Sequence, residues 1–174
     1  MRKRALLYPL LVLLMNAVLV AQSTTAATPL ITAMPTVTVQ GLDGKNVVFT
    51  LDQLRQMPQQ SVSVMNPHTK AKENYEGVLL SDVLTKLSAP SGDKLRGEEM
   101  ADYVEVTGSD RYRVVFALAE LDPAFQDNKV LLAISSDGKP LDDKLGPVRL
   151  VAPQDKRPAR SVRMVNTITV RRAP

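Results

Sequence analysis

The sequence contains no cysteine, no tryptophan and a single histidine, His68, among its 174 residues. Without cysteine the chain has neither disulfides nor thiolate ligands for a metal ion. One histidine does not complete the usual zinc or iron ligand sets, and a Ser-His-Asp triad would have to run through His68. Three Phe and four Tyr also leave few rings for stacking on bases. The composition therefore disfavours classical hydrolases, thiolate metal centres and nucleic-acid binding.

Residues 1–27 are predicted to be a cleaved signal peptide. A basic start is followed by an apolar run over residues 5–20 and by a small, polar stretch over residues 21–27. The alternative is a retained membrane anchor, but the apolar run is shorter than the roughly twenty residues that span a bilayer. We therefore expect residues 28–174 to form one exported domain, and the lack of cysteine suits a bacterial periplasm.

Positive charge is concentrated near the C-terminal end of the sequence. Residues 28–138 hold ten Lys/Arg against fifteen Asp/Glu, a net charge of −5, whereas residues 139–174 hold nine against three, a net charge of +6. The densest basic stretch is GPVRLVAPQDKRPARSVRMV at 146–165. Two interpretations remain open for it: a solvated basic face beside a buried strand, or a pocket for an anionic or acceptor-rich ligand.

Short alternating segments dominate the rest of the chain. They predict strands over residues 36–40, 46–50, 61–65, 103–108, 112–117, 129–135, 147–152 and 161–170. Short helices are predicted over residues 51–58, 79–87 and 117–122, and residues 66–77 are predicted to be a polar loop. This pattern is typical of a mixed, strand-rich α+β domain with short helices.

Three segments carry a resemblance to a known family. They are YEGVLLSDVL at 75–84, VTGSDRYRVVFALAELD at 106–122, and the long block VLLAISSDGKPLDDKLGPVRLVAPQDKRPARSVRMVNTITV at 130–170. In this order they resemble the molybdopterin-binding domain of the sulfite oxidase type, and the resemblance extends over roughly residues 36–170. It implies the fold of that domain, which is a mixed, strand-rich α+β fold.

The sequence departs from the enzymes of this family at the metal ligand. Those enzymes bind molybdenum through a cysteine in the segment that corresponds to residues 61–78, and this chain has no cysteine. The chain is similar instead to small exported proteins that keep the fold, bind a free pterin and report it to a membrane-bound cyclic-di-GMP regulator. The resemblance thus implies a reduced pterin as ligand, no bound molybdenum, no catalysis, and the periplasmic domain of a membrane signalling protein as partner.

A pterin is a flat heterocycle that needs cationic donors along one edge and acceptors along the other. Arginine suits the first role because its planar fork binds acceptors in pairs and stacks on rings. The candidate donors are Arg160 and Arg163, then Arg149 and Arg111, with Ser109 in the turn at 108–111; Asp155 and Asp110 are the candidate acceptors, and Tyr112 or Tyr75 would cover a ring face. Because Gly, Ser and Asp form turns in any protein, the turn at 108–111 has a purely structural interpretation as well.

Two other functions remain open from the sequence. One is a molybdopterin-dependent oxidoreductase, or a subunit of one, with a metal ligand other than cysteine. The other is a protein-interaction module whose basic end docks an acidic partner and whose pocket is vestigial.

Overall fold

The computed structural model describes residues 35–174, so the predicted signal peptide lies outside the described residues. Within them the chain forms ten strands and three short α-helices. The strands are β1 (Thr36–Gln40), β2 (Asn46–Thr50), β3 (Gln60–Met65), β4 (Lys72–Leu79), β5 (Tyr103–Gly108), β6 (Arg113–Ala117), β7 (Leu131–Ser136), β8 (Lys139–Pro140), β9 (Arg149–Val151) and β10 (Val165–Arg171). The helices are α1 (Leu51–Gln56), α2 (Leu80–Thr85) and α3 (Leu118–Leu121), and 3-10 turns cover Gly92–Lys94, Gly97–Ala101 and Pro158–Arg160.

The strands form two five-stranded sheets, which we call sheet A and sheet B. Sheet A has the order β2-β1-β10-β5-β6, and its pairs are antiparallel except for β1 and β10, which run parallel with Thr38 opposite Thr167. Sheet B has the order β3-β4-β7-β8, and β9 pairs with β7 as well. This mixed arrangement confirms the predicted α+β fold class.

The main hydrophobic core joins the inward faces of both sheets. Alternate residues of sheet A, such as Val104 and Ile168, share one buried cluster with Leu132 and Leu150 of sheet B. A second, smaller cluster lies on the other face of sheet B and contains Val62, Tyr75, Leu131, Ala133 and Val151. Sheet B is therefore apolar on both faces, which is typical of a sheet that is covered on both sides.

Local signals explain the first hairpin and the helix that follows it. The turn between β1 and β2 uses Gly44 at a φ of 76°, as an Asp-Gly hairpin turn requires. The hydroxyl of Thr50 accepts a hydrogen bond from Gln53 N, and the Gln53 side chain accepts one from Thr50 N, which makes a capping box at the start of α1. Pro58 follows the helix, as predicted.

The predicted polar loop over residues 66–77 is wrong for its second half. Residues from Lys72 onwards belong to β4, which pairs with β3 on one side and with β7 on the other. The sequence did not predict this strand because its first residues are polar, and the side chains before Gly77, other than Tyr75, are mostly exposed. None of the helices in the described part of the chain is long and apolar enough to cross a membrane.

Candidate functional site

The two ends of the basic stretch at 146–165 are joined to each other by backbone hydrogen bonds. Leu150 N donates to Val162 O, and Val165 N donates to Val148 O. These bonds hold the segment around β9 beside the segment that leads into β10, and the loop between them carries Asp155 and Arg160. The arginines of the stretch are thus in one region of the fold, but Arg149, Arg160 and Arg163 contact different partners.

Arg160 is engaged by acidic and aromatic neighbours on nearly every side. Its Nε and Nη2 donate to the two carboxylate oxygens of Asp155 at 2.9 and 2.8 Å, and its Nη1 lies 3.2 Å from Glu120 Oε2. The guanidinium carbon sits 4.2 Å from the centre of the Phe116 ring. Nη1 also lies 3.5 Å from the carbonyl oxygen of Val115, on the outer edge of β6. The hydrogen bond to Asp155 is the main cause that raises the pKa of Arg160. This side chain fastens the loop to the edge of sheet A.

Arg160→Ala is expected to lower the free energy of unfolding by about 1–3 kcal/mol. This range is the cost of losing charge-assisted hydrogen bonds, discounted because the side chain is about one-third exposed. Urea denaturation of the variant and the wild type measures the difference. Arg157→Ala is the matched control, since Arg157 is an exposed arginine of the same loop. Equal midpoints for both variants would contradict this structural role.

Arg149 lies in β9 and reaches over β7 to Tyr75 in β4. It stands opposite Ala133, whose small side chain on the same face of sheet B leaves room for this crossing. Arg149 Nη1 donates to Tyr75 Oη at 2.7 Å, and its guanidinium carbon lies 5.1 Å from the ring centre. The Nε of Arg149 is buried and has no hydrogen-bond partner among the described residues. Such a donor is uncommon in a folded protein and calls for an acceptor.

The hydroxyl of Tyr75 is fixed between two charged groups. It accepts from Arg149 and donates to Glu73 Oε2 at 2.8 Å, while the residue is 1% exposed. Burial, followed by the hydrogen bond to Glu73, raises the pKa of Tyr75 to about 12. Tyr75 therefore stays neutral at physiological pH and keeps both hydrogen bonds.

The turn at 108–111 packs against the segment that precedes β10. Ser109 N donates to Met164 O at 2.9 Å, and a Cβ atom on Gly108 would lie 2.5 Å from Arg163 O. Arg163 Nη2 lies 3.9 Å from Asp110 Oδ2, and the Arg163 side chain is 54% exposed. This turn therefore brings Ser109 and Asp110 beside Arg163.

Arg111, the last residue of this turn, and Tyr112, which follows it, have different surroundings. Tyr112 donates its hydroxyl proton to Ala159 O at 2.7 Å, so its ring lies along the loop that carries Arg160. Arg111 is exposed at a left-handed position of the turn, with a φ of 68°. Tyr112 thus joins the Arg160 loop, and Arg111 extends towards solvent.

A cleft of about 460 Å³ opens beside the turn at 108–111. Ser109, Met164 and Gly146 line it together with Asp142 and Asp143. Its backbone is unusual, since Met164 and Gly146 adopt positive φ angles of 49° and 83°. Left-handed backbone at a non-glycine residue is often found near ligand sites.

The nine predicted site residues therefore fall into three sets. Arg149 contacts Tyr75; Arg160 contacts Asp155, with Tyr112 on the same loop; and Arg163 contacts Asp110 beside Ser109, with Arg111 exposed at the edge of that turn. The expected convergence of the arginines on one ligand is not visible in their side-chain partners, because Arg149, Arg160 and Arg163 contact three different acceptors. Sequence reasoning missed Glu73 and Glu120, which lie far along the chain from the basic stretch they support.

The segment at 61–78 folds as the β3–β4 hairpin. Met65 is 62% exposed at the end of β3, and His68 is exposed in the turn. Among residues 35–174, no group of three or more His, Cys, Asp or Glu side chains is placed to hold a metal ion. The donors present, led by the buried Nε of Arg149, fit an acceptor-rich heterocycle and do not fit a thiolate-bound metal.

The two-sheet α+β fold is shared with a solved structure. The sulfane dehydrogenase SoxCD from Paracoccus pantotrophus matches with a TM-score of 0.60 at 19% identity. The match covers 78% of this chain and 37% of that chain, so the present chain spans little more than a third of it. At this identity the likeness shows the fold. No curated protein matches the sequence.

The family model for the oxidoreductase molybdopterin binding domain matches residues 26–174. The chain belongs to this family, and the resemblance carried by its motifs is confirmed.

Proposed function

We propose that this chain is an exported protein that binds a free, reduced pterin, has no catalysis of its own, and relays pterin status to the periplasmic domain of a membrane signalling protein. The observation that carries the proposal is the buried, unpartnered Nε of Arg149 in a molybdopterin-binding domain whose sequence contains no cysteine. The basic and apolar start of the sequence supports export.

The proposed binding chemistry rests on arginine donors that lack a strong acceptor within the fold. The Nε of Arg149 is buried and would donate to a pterin O4 or N5 on binding, while its Nη1 is already fixed by Tyr75. Arg163 is half-exposed and has only a 3.9 Å contact with Asp110, so its guanidinium is also available to a ligand, beside the turn at 108–111. Arg160 would have to break its bonds to Asp155 before it bound a ligand, so we assign it to the support of the loop.

A molybdopterin bound in a domain of this family would supply redox chemistry at its metal. In this chain the corresponding hairpin offers Met65 and His68 at its end, and neither is a thiolate. Thiolate is the ligand that suits a soft metal centre. The residues of this chain therefore favour binding of the pterin and disfavour binding of molybdenum.

A second candidate function is a subunit of a molybdopterin-dependent oxidoreductase. It is favoured by the match to the sulfane dehydrogenase, in which a domain of this fold occupies part of a longer chain. In that case a partner would have to complete the metal site.

A third candidate is an interaction module whose exposed basic residues, such as Arg157 and Arg163, bind an acidic partner. Its partner binding would weaken with salt and survive loss of the pterin.

Protein purified from its native compartment is expected to retain a stoichiometric pterin and only traces of molybdenum. Mass spectrometry of the released small molecule identifies the pterin, and elemental analysis after gel filtration measures the metal. Arg149→Ala protein purified in the same way is the control and is expected to lose the pterin. Stoichiometric molybdenum in the wild type would support the oxidoreductase subunit, and a protein without pterin or metal would support the interaction module.

A further inference from the structure

A continuous hydrogen-bonded series connects Arg149 to the end of the β3–β4 hairpin. Arg149 Nη1 donates to Tyr75 Oη at 2.7 Å, and Tyr75 Oη donates to Glu73 Oε2 at 2.8 Å. The other carboxylate oxygen of Glu73 accepts from Asn66 Nδ2 at 2.7 Å. We call these four residues the polar relay. Its members come from β9, from β4 and from the residue that follows β3, so the polar relay runs across the strands of sheet B from β9 to the end of β3.

Asn66 organises the turn of that hairpin, residues 66–71, which we call the hairpin tip. Its Oδ1 accepts hydrogen bonds from His68 N at 2.9 Å and from Thr69 N at 3.1 Å. Its backbone closes the turn through Asn66 N to Ala71 O and Lys70 N to Asn66 O. The conformation of the tip therefore depends on where the Asn66 side chain is held, and Glu73 holds it.

The carboxylate of Glu73 thus holds two side chains, one with each oxygen. One oxygen fixes the hydroxyl that orients Arg149, and the other fixes the side chain that shapes the tip. A neutral Tyr75 is needed between the two charges, because only the protonated hydroxyl donates to Glu73 while it accepts from Arg149. Two charge-assisted bonds in series on a largely buried face hold their members more firmly than exposed bonds would.

We infer that Glu73 and Tyr75 are positioning residues that hold Arg149 for its ligand and couple ligand binding to the order of the hairpin tip. This inference rests on the proposed function. A ligand acceptor at Arg149 Nε restricts the guanidinium, which fixes Tyr75 and Glu73 and, through them, Asn66. The coupling is reciprocal, so a partner that orders the tip strengthens ligand binding by the same factor.

The hairpin tip is suited to report this change because it is exposed. Met65, His68 and Lys70 present an apolar and basic surface to solvent. A partner that contacts this surface would meet an ordered tip when the ligand is bound and a looser one when it is absent. The tip is therefore the part of the chain through which the proposed signal leaves the domain.

The first test needs no ligand. Tyr75→Phe keeps the buried ring but removes both bonds of the hydroxyl, so hydrogen exchange at the amides of His68, Thr69 and Lys70 is expected to rise about 3- to 10-fold. Tyr112→Phe is the matched control, because it removes a hydroxyl bond of the same 2.7 Å length to Ala159 O and lies outside the polar relay. Glu73→Gln, which keeps one acceptor oxygen, is expected to give a smaller increase and serves as a second variant should Tyr75→Phe fold poorly. Unchanged exchange in both relay variants would overturn the inference.

The second test adds 7,8-dihydroneopterin as the reduced pterin. It is expected to slow exchange at the tip in the wild type and to leave it unchanged in Tyr75→Phe. Glu73→Ala is expected to weaken binding several-fold although Glu73 contacts Arg149 only through Tyr75, and Glu73→Gln to restore part of it. Binding that leaves the wild-type tip unprotected would overturn the coupling. A failure of the wild type to bind any reduced pterin would instead overturn the proposed function, while the ligand-free exchange would still decide whether the relay controls the tip.

Discussion

Gly77→Ala is expected to lower the free energy of unfolding by roughly 3 kcal/mol or more, which is a large effect for the addition of one methyl group. A Cβ atom on Gly77 would lie 2.0 Å from Leu132 O and 2.7 Å from Ala133 Cα. Both are backbone atoms of β7 in the middle of sheet B, and they have no room to move away. The register between β4 and β7 also shifts at Glu76 and Gly77. The glycine therefore allows the two strands to approach at an irregular point of the sheet.

Urea denaturation of Gly77→Ala tests this expectation against Gly44→Ala. Gly44 has open space around its Cβ position and a φ of 76°, so alanine there carries only the cost of a left-handed backbone, about 1 kcal/mol. Equal losses in the two variants would mean that the close approach at Gly77 relaxes at little cost. A much larger loss at Gly77 would identify the glycine of the YEGV motif as a structural residue that shapes sheet B.

Arg149→Ala is expected to reduce the affinity for 7,8-dihydroneopterin by about 10- to 100-fold. One charge-assisted hydrogen bond to the ligand is lost, at about 1.5–3 kcal/mol, and the neighbouring hydroxyl of Tyr75 is no longer held by a guanidinium. Arg149→Lys is expected to recover only part of the affinity, because an ammonium group does not reproduce the planar fork. Isothermal titration calorimetry measures the affinities, and thermal melts check that the variants fold.

Arg157→Ala separates this specific contact from the general positive charge of the region. Arg157 is exposed and lies in the same basic stretch, so its removal lowers the net charge by the same amount as Arg149→Ala. Its affinity is expected to stay within about twofold of the wild type, since exposed charges are screened by salt. If the two alanine variants lost affinity equally, binding would depend on the charge of the surface and the role given to Arg149 Nε would be wrong.

The strands with one apolar and one polar face were predictable from sequence, and β4 was not. In β1 and β5 buried and accessible residues alternate, and that period is visible in the sequence. In β4 the first five residues contain one buried side chain, Tyr75, among polar ones. The strand is held by pairing on both sides and by the contacts of Tyr75 and Glu73 with distant residues. No local pattern carries that information.

The candidate site shows the same limit. The basic stretch was visible, but the partner of each arginine depends on residues brought close by the fold. Arg149 meets Tyr75 from 74 positions away and Arg160 meets Glu120 from 40 positions away. Their charges suggested a shared ligand, whereas the charge of Arg160 is already balanced by Asp155 and Glu120. The direction of each side chain decides which arginine keeps a donor without a partner. The alternation of residues along a strand predicts only the face of the sheet on which a side chain lies.

The position of β10 in sheet A sets an order of events in folding. β10 is the last strand in sequence and lies between β1 and β5, so it alone joins the hairpin of β1 and β2 to the hairpin of β5 and β6. Until β10 is in place, those hairpins are two separate parts of sheet A with open edges. Sheet A is therefore completed only by pairing between segments that lie far apart in the sequence, and such non-local pairing is intrinsically slow.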